Sequence, residues 1–249
     1  MTLIAQLTDL HLRADGADPF HDPYQATRDA FAAIRALDVQ PDAIVLTGDI
    51  NDHSTSDYGP ALALLHAAPV PVLPMPGNHD DPDAFRAAFQ NWADFAPDHL
   101  SFTADLGDLH LITLETTLPN GLPGLEARHL AWLDAQLRAA SKPVLLALHH
   151  PPFPTGLPHL ERHGFAGRAV LADMLQTGQI VRLIAGHSHR AISALWQGVS
   201  CSTAPAIGHG LGLSFSGAAP HRPMATTPRL ELHHWQGAQM ISHTVSLPR

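Results

Sequence analysis

Cysteine is nearly absent from this 249-residue chain. The single Cys201 excludes an internal disulfide framework and any zinc site built on thiolates. Lysine is as scarce, with Lys142 alone beside thirteen arginines, a bias that reflects the base composition of the source genome more than function. Basic residues are outnumbered overall. A net charge of −9, with no Lys/Arg run, argues against a nonspecific nucleic-acid binder and against a nuclease groove. No stretch approaches the roughly 20 apolar residues of a membrane helix, and Met1 leads directly into an apolar run without a leader-like n-region. The expectation is a cytoplasmic protein with no membrane partner.

What the chain has is ordinary globular composition, 45% hydrophobic and 15% charged, in a length suited to one domain over 1–249. Short β-branched runs alternate with amphipathic segments, the pattern of an α/β fold. Strands are expected at 3–8, 43–47, 70–75, 109–115, 144–148, 180–185, 191–196 and 199–203, with a C-terminal hairpin at about 229–245. Helices are expected at 24–37, from Asp81-Pro82 to about Trp92, at 125–139 and at 168–176. The Gly-, Ala- and Pro-rich stretch 204–228 is the least regular and reads as a flap or lid.

Histidine is in excess, with 19 copies, and the excess has a pattern. Five polar clusters follow predicted strands: Asp9-Leu10-His11, Gly48-Asp49, Gly77-Asn78-His79-Asp80, His149-His150-Pro151-Pro152 and Gly186-His187-Ser188-His189. Singly, each has a plain reading as a cap, a tight turn or a proline-rich bend. Together they stand where α/β sheets bind ligands, at the carboxyl ends of strands, so they can converge across 180 residues of sequence. Carboxylate, amide and imidazole donors without thiolate suit first-row divalent ions, and there are about enough for two ions sharing one carboxylate. His21, His53 and His209 lie near these loops and are candidates for substrate contact; Arg190 is a candidate for holding phosphate. The remaining histidines read as surface or packing residues.

The five motifs, in this order, resemble the calcineurin-like metallophosphoesterase superfamily. The runs from His149 to Gly156, from Gly186 to Arg190 and from Ser202 to Pro205 resemble the branch of class III cyclic nucleotide phosphodiesterases and bacterial glycerophosphodiesterases. That branch usually continues Ser-Thr-Ala-His-Gln. Here Ala206-Ile207-Gly208-His209-Gly210 keeps the histidine but neither the hydroxyl nor the glutamine. The resemblance implies a four-layer α-β-β-α sandwich of two mixed sheets flanked by helices. It implies two divalent metal ions, Fe or Mn ahead of Zn or Co. One would be held by Asp9, His11, Asp49 and His189, the other by Asp49, Asn78, His150 and His187. His149 would stand beside the metals, His79 would act on the phosphoryl group, and Asp80 would fix the His79 tautomer. The implied activity is hydrolysis of a small phosphodiester, such as a cyclic nucleotide, by a metal-bridging hydroxide. Alternatives are a glycerophosphodiesterase or broad phosphomonoesterase of the same fold, and a non-catalytic protein-binding scaffold. Relatives of this kind commonly associate into homo-oligomers.

Overall fold

The computed structural model describes residues 1–13, 18–20, 22–217 and 222–248. Its elements, in chain order, are β1 (Thr2–Leu7), α1 (Pro23–Arg35), β2 (Ala43–Thr47), α2 (Gly59–Leu65), β3 (Val72–Met75) and α3 (Pro82–Phe89). There follow β4 (Thr103–Leu106), β5 (Leu109–Leu114), α4 (Ala127–Ala139), β6 (Val144–Leu148), α5 (Pro158–Glu161), α6 (Arg168–Leu175) and β7 (Ile180–Ala185). The last are β8 (Ile192–Trp196), β9 (Val199–Thr203), β10 (Gly210–Leu211), β11 (Pro223–Met224), β12 (Arg229–Trp235) and β13 (Met240–Ser246). Among the described residues no helix is long and apolar enough to cross a membrane.

Two mixed sheets form, in the orders β13-β12-β1-β2-β3 and β4-β5-β6-β7-β9-β8. Strand periodicity sorts their side chains into three apolar layers, because successive residues point to opposite faces. Ala5, Leu7, Ile44 and Leu46 meet Phe31 and Ile34 of α1, Leu64 of α2 and Phe85 of α3. The alternate residues Ile4, Ala43 and Val45 face Leu109, Leu111, Leu145, Ala147 and Ile184 across the gap between the sheets. Ile112, Leu114, Leu146, Leu148, Leu183 and Ala185 point the other way, onto Leu133 and Leu137 of α4 and Leu171 of α6. Strands buried on both faces read as continuous apolar runs, which is why β2 and β6 are fully buried along their length. The result is the expected four-layer sandwich.

Helix starts follow local chemistry. Asp22 Oδ1 accepts from the backbone N–H groups of Tyr24 and Gln25, with Pro23 beginning the helix. Asp81 does the same for Ala84 ahead of α3, which ends at Phe89, three residues short of the expected Trp92. The sequence reading had no α2, β4 or α5, and each is short. β4 alternates poorly and is only half-buried, and α5 is a single turn without a buried residue. The 204–228 stretch is in part strapped down rather than a free flap. Ala204 N–H bonds to Ala185 O, Ile207 to Thr8 O and Gly208 to Asp9 O, while β10 pairs with β11.

A polar bridge crosses the gap between the sheets. Gln6 Nε2 donates to Thr47 Oγ1 and to Ala185 O, at 2.9 Å each. That orientation leaves Gln6 Oε1 to accept from His233 Nε2 at 2.9 Å, while His233 Nδ1 meets Ser242 Oγ at 2.8 Å. Burial, with the nearby Arg182 charge, pulls His233 down to about 3. The unfolded chain therefore takes up this proton near pH 6.5 and the folded chain resists it, so stability falls as the pH drops from 6.5 toward 3. Urea unfolding of the metal-free protein should show the wild type losing roughly 2 kcal/mol more than His233→Gln between pH 6.5 and 5. Equal losses would contradict the assignment.

Candidate metal centre

The parallel strands of both sheets end at one edge, and the loops leaving them are tied together there. Asp9 N–H bonds to Gly48 O, His11 N–H to Asp49 O and Gly186 N–H to His149 O, each at 3.0 Å. Among the described non-glycine residues six have positive φ, and five of them are Asp9, His11, Asp49, His187 and His189, at 50–66°. Asp and His tolerate this left-handed region better than most side chains, and here it turns each ligand-type group back into the crevice as its strand ends. The glycines between them are there for close approach. A Cβ on Gly77 would collide with the Asp49 carboxylate, and one on Gly186 with Thr8 Oγ1 and, at 2.7 Å, with Thr47 O.

Asp49 sits at the middle of the cluster and is 1% exposed. Its Oδ1 accepts from His79 N–H at 2.9 Å. Its Oδ2 lies 3.3 Å from His149 Nε2, 3.7 Å from His11 Nε2 and 4.0 Å from His79 Nε2. On one side Asp9, His11, Asp49 and His189 each offer a ligand atom within 4.8 Å of the others. On the other side His149, His150 and His187 do the same, and Asn78 Oδ1 lies 3.1 Å from His149 Nε2.

The donor set fits cations. His189 Nδ1 donates to His209 O at 2.6 Å and His149 Nδ1 to Thr47 O at 2.8 Å, so each ring turns its Nε2 lone pair inward. Neutral His149 Nε2, Asn78 Oδ1 and Asp49 Oδ2 are then three acceptors facing one another with no hydrogen between them. Such a convergence requires a proton or a metal ion. In the metal-free protein the proton takes that place. Burial disfavours charge on His149, but Asp49, Asp9 and the Thr47 carbonyl outweigh it and push the ring up to about 9. Burial likewise opposes charge on Asp49, yet His149 holds it well below the usual carboxylate range. Burial carries Asp9 up to about 7, only partly offset by His149. His11, His150 and His187 are driven strongly toward the neutral, ligand-competent form, chiefly by burial.

Seven residues expected to ligate, Asp9, His11, Asp49, Asn78, His150, His187 and His189, thus come to one edge of the sandwich. The contacts divide the 149–150 pair differently from the sequence reading, however. His149 touches both Asp49 and Asn78, whereas His150 Nδ1 lies 3.0 Å from Thr116 Oγ1. His209 packs 5.0 Å from the His11 ring and 4.9 Å from His189. His53 stacks on His79. His21 lies outside the described residues. Arg190 donates to Leu211 O and braces the 210–211 strand. His159 and Arg162, from α5 and its end, line a cleft of about 300 Å³ together with His11, Asp49, His79 and His189. Sequence reasoning missed them because nothing in their local pattern marks α5 as a wall of the site.

Asp80 needs a correction. Its Oδ1 accepts from Asn51 N–H and Tyr58 OH, and its Oδ2 from Ile50 N–H and Gly77 N–H, at 2.7–3.1 Å. His79 Nδ1 has no hydrogen-bond partner, so Asp80 does not set that tautomer. Adjacent side chains on a turn diverge, and Asp80 instead clamps the loops after β2 and β3 together. Burial and the Asp49 charge still raise it to about 6. Asp80→Ala leaves three backbone donors and a phenol unpaired, and should lower the urea-unfolding stability of the metal-free protein by about 3–5 kcal/mol. A loss under about 0.5 kcal/mol would contradict the clamp.

Comparison with known proteins gives the family of the chain. The model of the calcineurin-like phosphoesterase family matches residues 2–191. A probable glycerophosphodiester phosphodiesterase of Arcobacter nitrofigilis is 30% identical, over 97% of this chain and 92% of its own. The 3′,5′-cyclic adenosine monophosphate phosphodiesterase of Escherichia coli K12 is 30% identical, over 78% and 72%. Solved structures share the fold at low identity. GAP50, the anchor in the inner membrane complex of Plasmodium, superposes with TM-score 0.67 at 14% identity, covering 98% of this chain and 84% of its own. A putative 5′-nucleotidase from Staphylococcus aureus gives 0.60 at 13%, covering 99% and 54%. With the motif order, the convergent donors and a family match over most of its length, this chain belongs to the calcineurin-like phosphoesterase family.

Proposed function

We propose that this protein is a phosphodiesterase that hydrolyses a small diester with two divalent metal ions, Fe or Mn ahead of Zn or Co. The observation that carries the reading is the double set of inward-facing donors sharing Asp49. Asp9, His11, Asp49 and His189 would hold one ion. Asp49, Asn78, His187 and His149 would hold the other, His149 taking the place that the family resemblance gives to His150. When bound, such a pair neutralises phosphoryl oxygens and supplies a nucleophile at neutral pH.

The chain's own residues do the rest. His79 lines the cleft with Nε2 4.0 Å from Asp49 Oδ2, where a ring N–H can serve the leaving oxygen or a non-bridging one. Arg162 lines the same cleft and brings a guanidinium to it for an anion, beside His159, which burial and the neighbouring arginine charges hold toward the neutral form. A cleft of about 300 Å³ suits a small molecule, and the −9 charge disfavours a nucleic-acid polymer. Residues 1–249 act as one domain in this reading, because β12 pairs directly with β1 and binds the C-terminal hairpin into the first sheet.

Among small diesters the reading is a cyclic nucleotide of the cAMP type, the substrate named for the Escherichia coli relative. A glycerophosphodiester is the second reading. It is favoured by the longer match to the Arcobacter protein, which extends over 97% of the chain where the cyclic nucleotide relative reaches 78%.

The test is turnover by Mn²⁺-reconstituted protein of bis-p-nitrophenyl phosphate, p-nitrophenyl phosphate, 3′,5′-cAMP and glycerophosphoethanolamine. Diester hydrolysis should exceed monoester hydrolysis and vanish with chelator, and the two natural diesters then rank the substrate readings. His79→Ala should retain both metals and lose about 10²–10⁴-fold in rate. Monoester preference would overturn the diester reading, and loss of metal from His79→Ala would overturn the role of His79.

A further inference from the structure

His79 carries the proton-donating part of the proposed function, yet no hydrogen bond orients its ring through Nδ1. The backbone N–H on Asp49 Oδ1 holds the main chain, and Asp80 is committed to Ile50, Asn51, Gly77 and Tyr58. Two other imidazoles meet the ring instead. His11 stands edge-on, with centroids 4.6 Å apart at 86°. His53 lies face to face, with centroids 3.7 Å apart and planes within 18°.

His53 belongs to the loop leaving β2, and that loop is held firmly. Ile50 and Asn51 N–H bond to Asp80, Asp52 N–H to Leu12 O, Ser54 N–H to Asp52 Oδ1 and Thr55 N–H to Asp52 O. The residue itself is exposed, so core packing gives no reason for a ring at this position. Imidazole N–H bonds lie in the ring plane, so two nearly parallel rings do not hydrogen-bond to each other. The contact is one of faces.

We propose that His53 is a positioning residue whose ring face sets the plane of the His79 imidazole and aims it into the cleft. The inference rests on the reading of His79 as the group that serves the substrate oxygens. Because the face does the work, a phenyl ring should replace it.

The experiment compares wild type, His53→Ala and His53→Phe. Steady-state kinetics of the Mn²⁺ enzyme use bis-p-nitrophenyl phosphate, with metal content measured on each. Proton NMR of the His79 ring C–H in metal-free protein reports the stack through its ring-current shift. His53→Ala should lower kcat about tenfold to a hundredfold with KM within about twofold, leave metal content unchanged and abolish the ring-current shift. His53→Phe should restore kcat to within about twofold of wild type and restore the shift. No effect of alanine on kcat overturns the proposal, and so does a phenylalanine variant as poor as alanine, which would point to a polar role. A wild type that turns over no diester fails the preceding functional reading by itself. The NMR comparison then still decides the stack, whose absence overturns the positioning role.

Discussion

The carboxylate of Asp49 is a buried charge on which the architecture of the strand ends depends. It faces His149, His11 and His79 and accepts the His79 backbone N–H, all within 4.0 Å, at 1% exposure. A charge so placed must be paired, and most of its neighbours are themselves acceptors or neutral rings. The fold reaches this arrangement through strain as well. Left-handed residues cost on the order of 1–3 kcal/mol each unless their surroundings hold them. Five of them gathered on ligand-type side chains mark the region as built for binding rather than for stability.

The two sheets make that convergence rigid. Each contributes parallel strands whose carboxyl ends meet at one edge, and Gln6 bridges the sheets through Thr47, Ala185 and His233. The 204–208 segment crosses back from the second sheet onto Thr8 and Asp9, closing the edge beside His209. Asp80 fastens the loops after β2 and β3, and Asp49 and His79 both sit on those loops. Small shifts in either loop would move the Asp49 carboxylate and the His79 ring together, so fold stability and the geometry of this cluster are coupled here.

The legible part of this protein was what periodicity and motif order report. Short apolar, β-branched runs predicted the central strands, and strand-end placement predicted that Asp9, Asp49, Asn78 and His187 could converge. Relations between neighbouring side chains were harder to read. In His149-His150 the two rings point differently, and motif spacing does not say which one faces Asp49. Asp80 follows His79 in sequence but turns toward Tyr58, a residue from a loop with no recognisable pattern. His159 and Arg162 reach the cleft from a part of the chain far from the other site loops, and short elements such as α5 leave too few residues for a period to show.

The proposed function depends on Asp49 being shared between two cation sites. Anomalous diffraction from crystals of the Mn²⁺-loaded protein tests it most directly. Two peaks are expected roughly 3.5–4 Å apart on either side of Asp49, with Asn78 and His149 on one and Asp9 and His189 on the other. A single peak, or two peaks that Asp49 does not join, would contradict it.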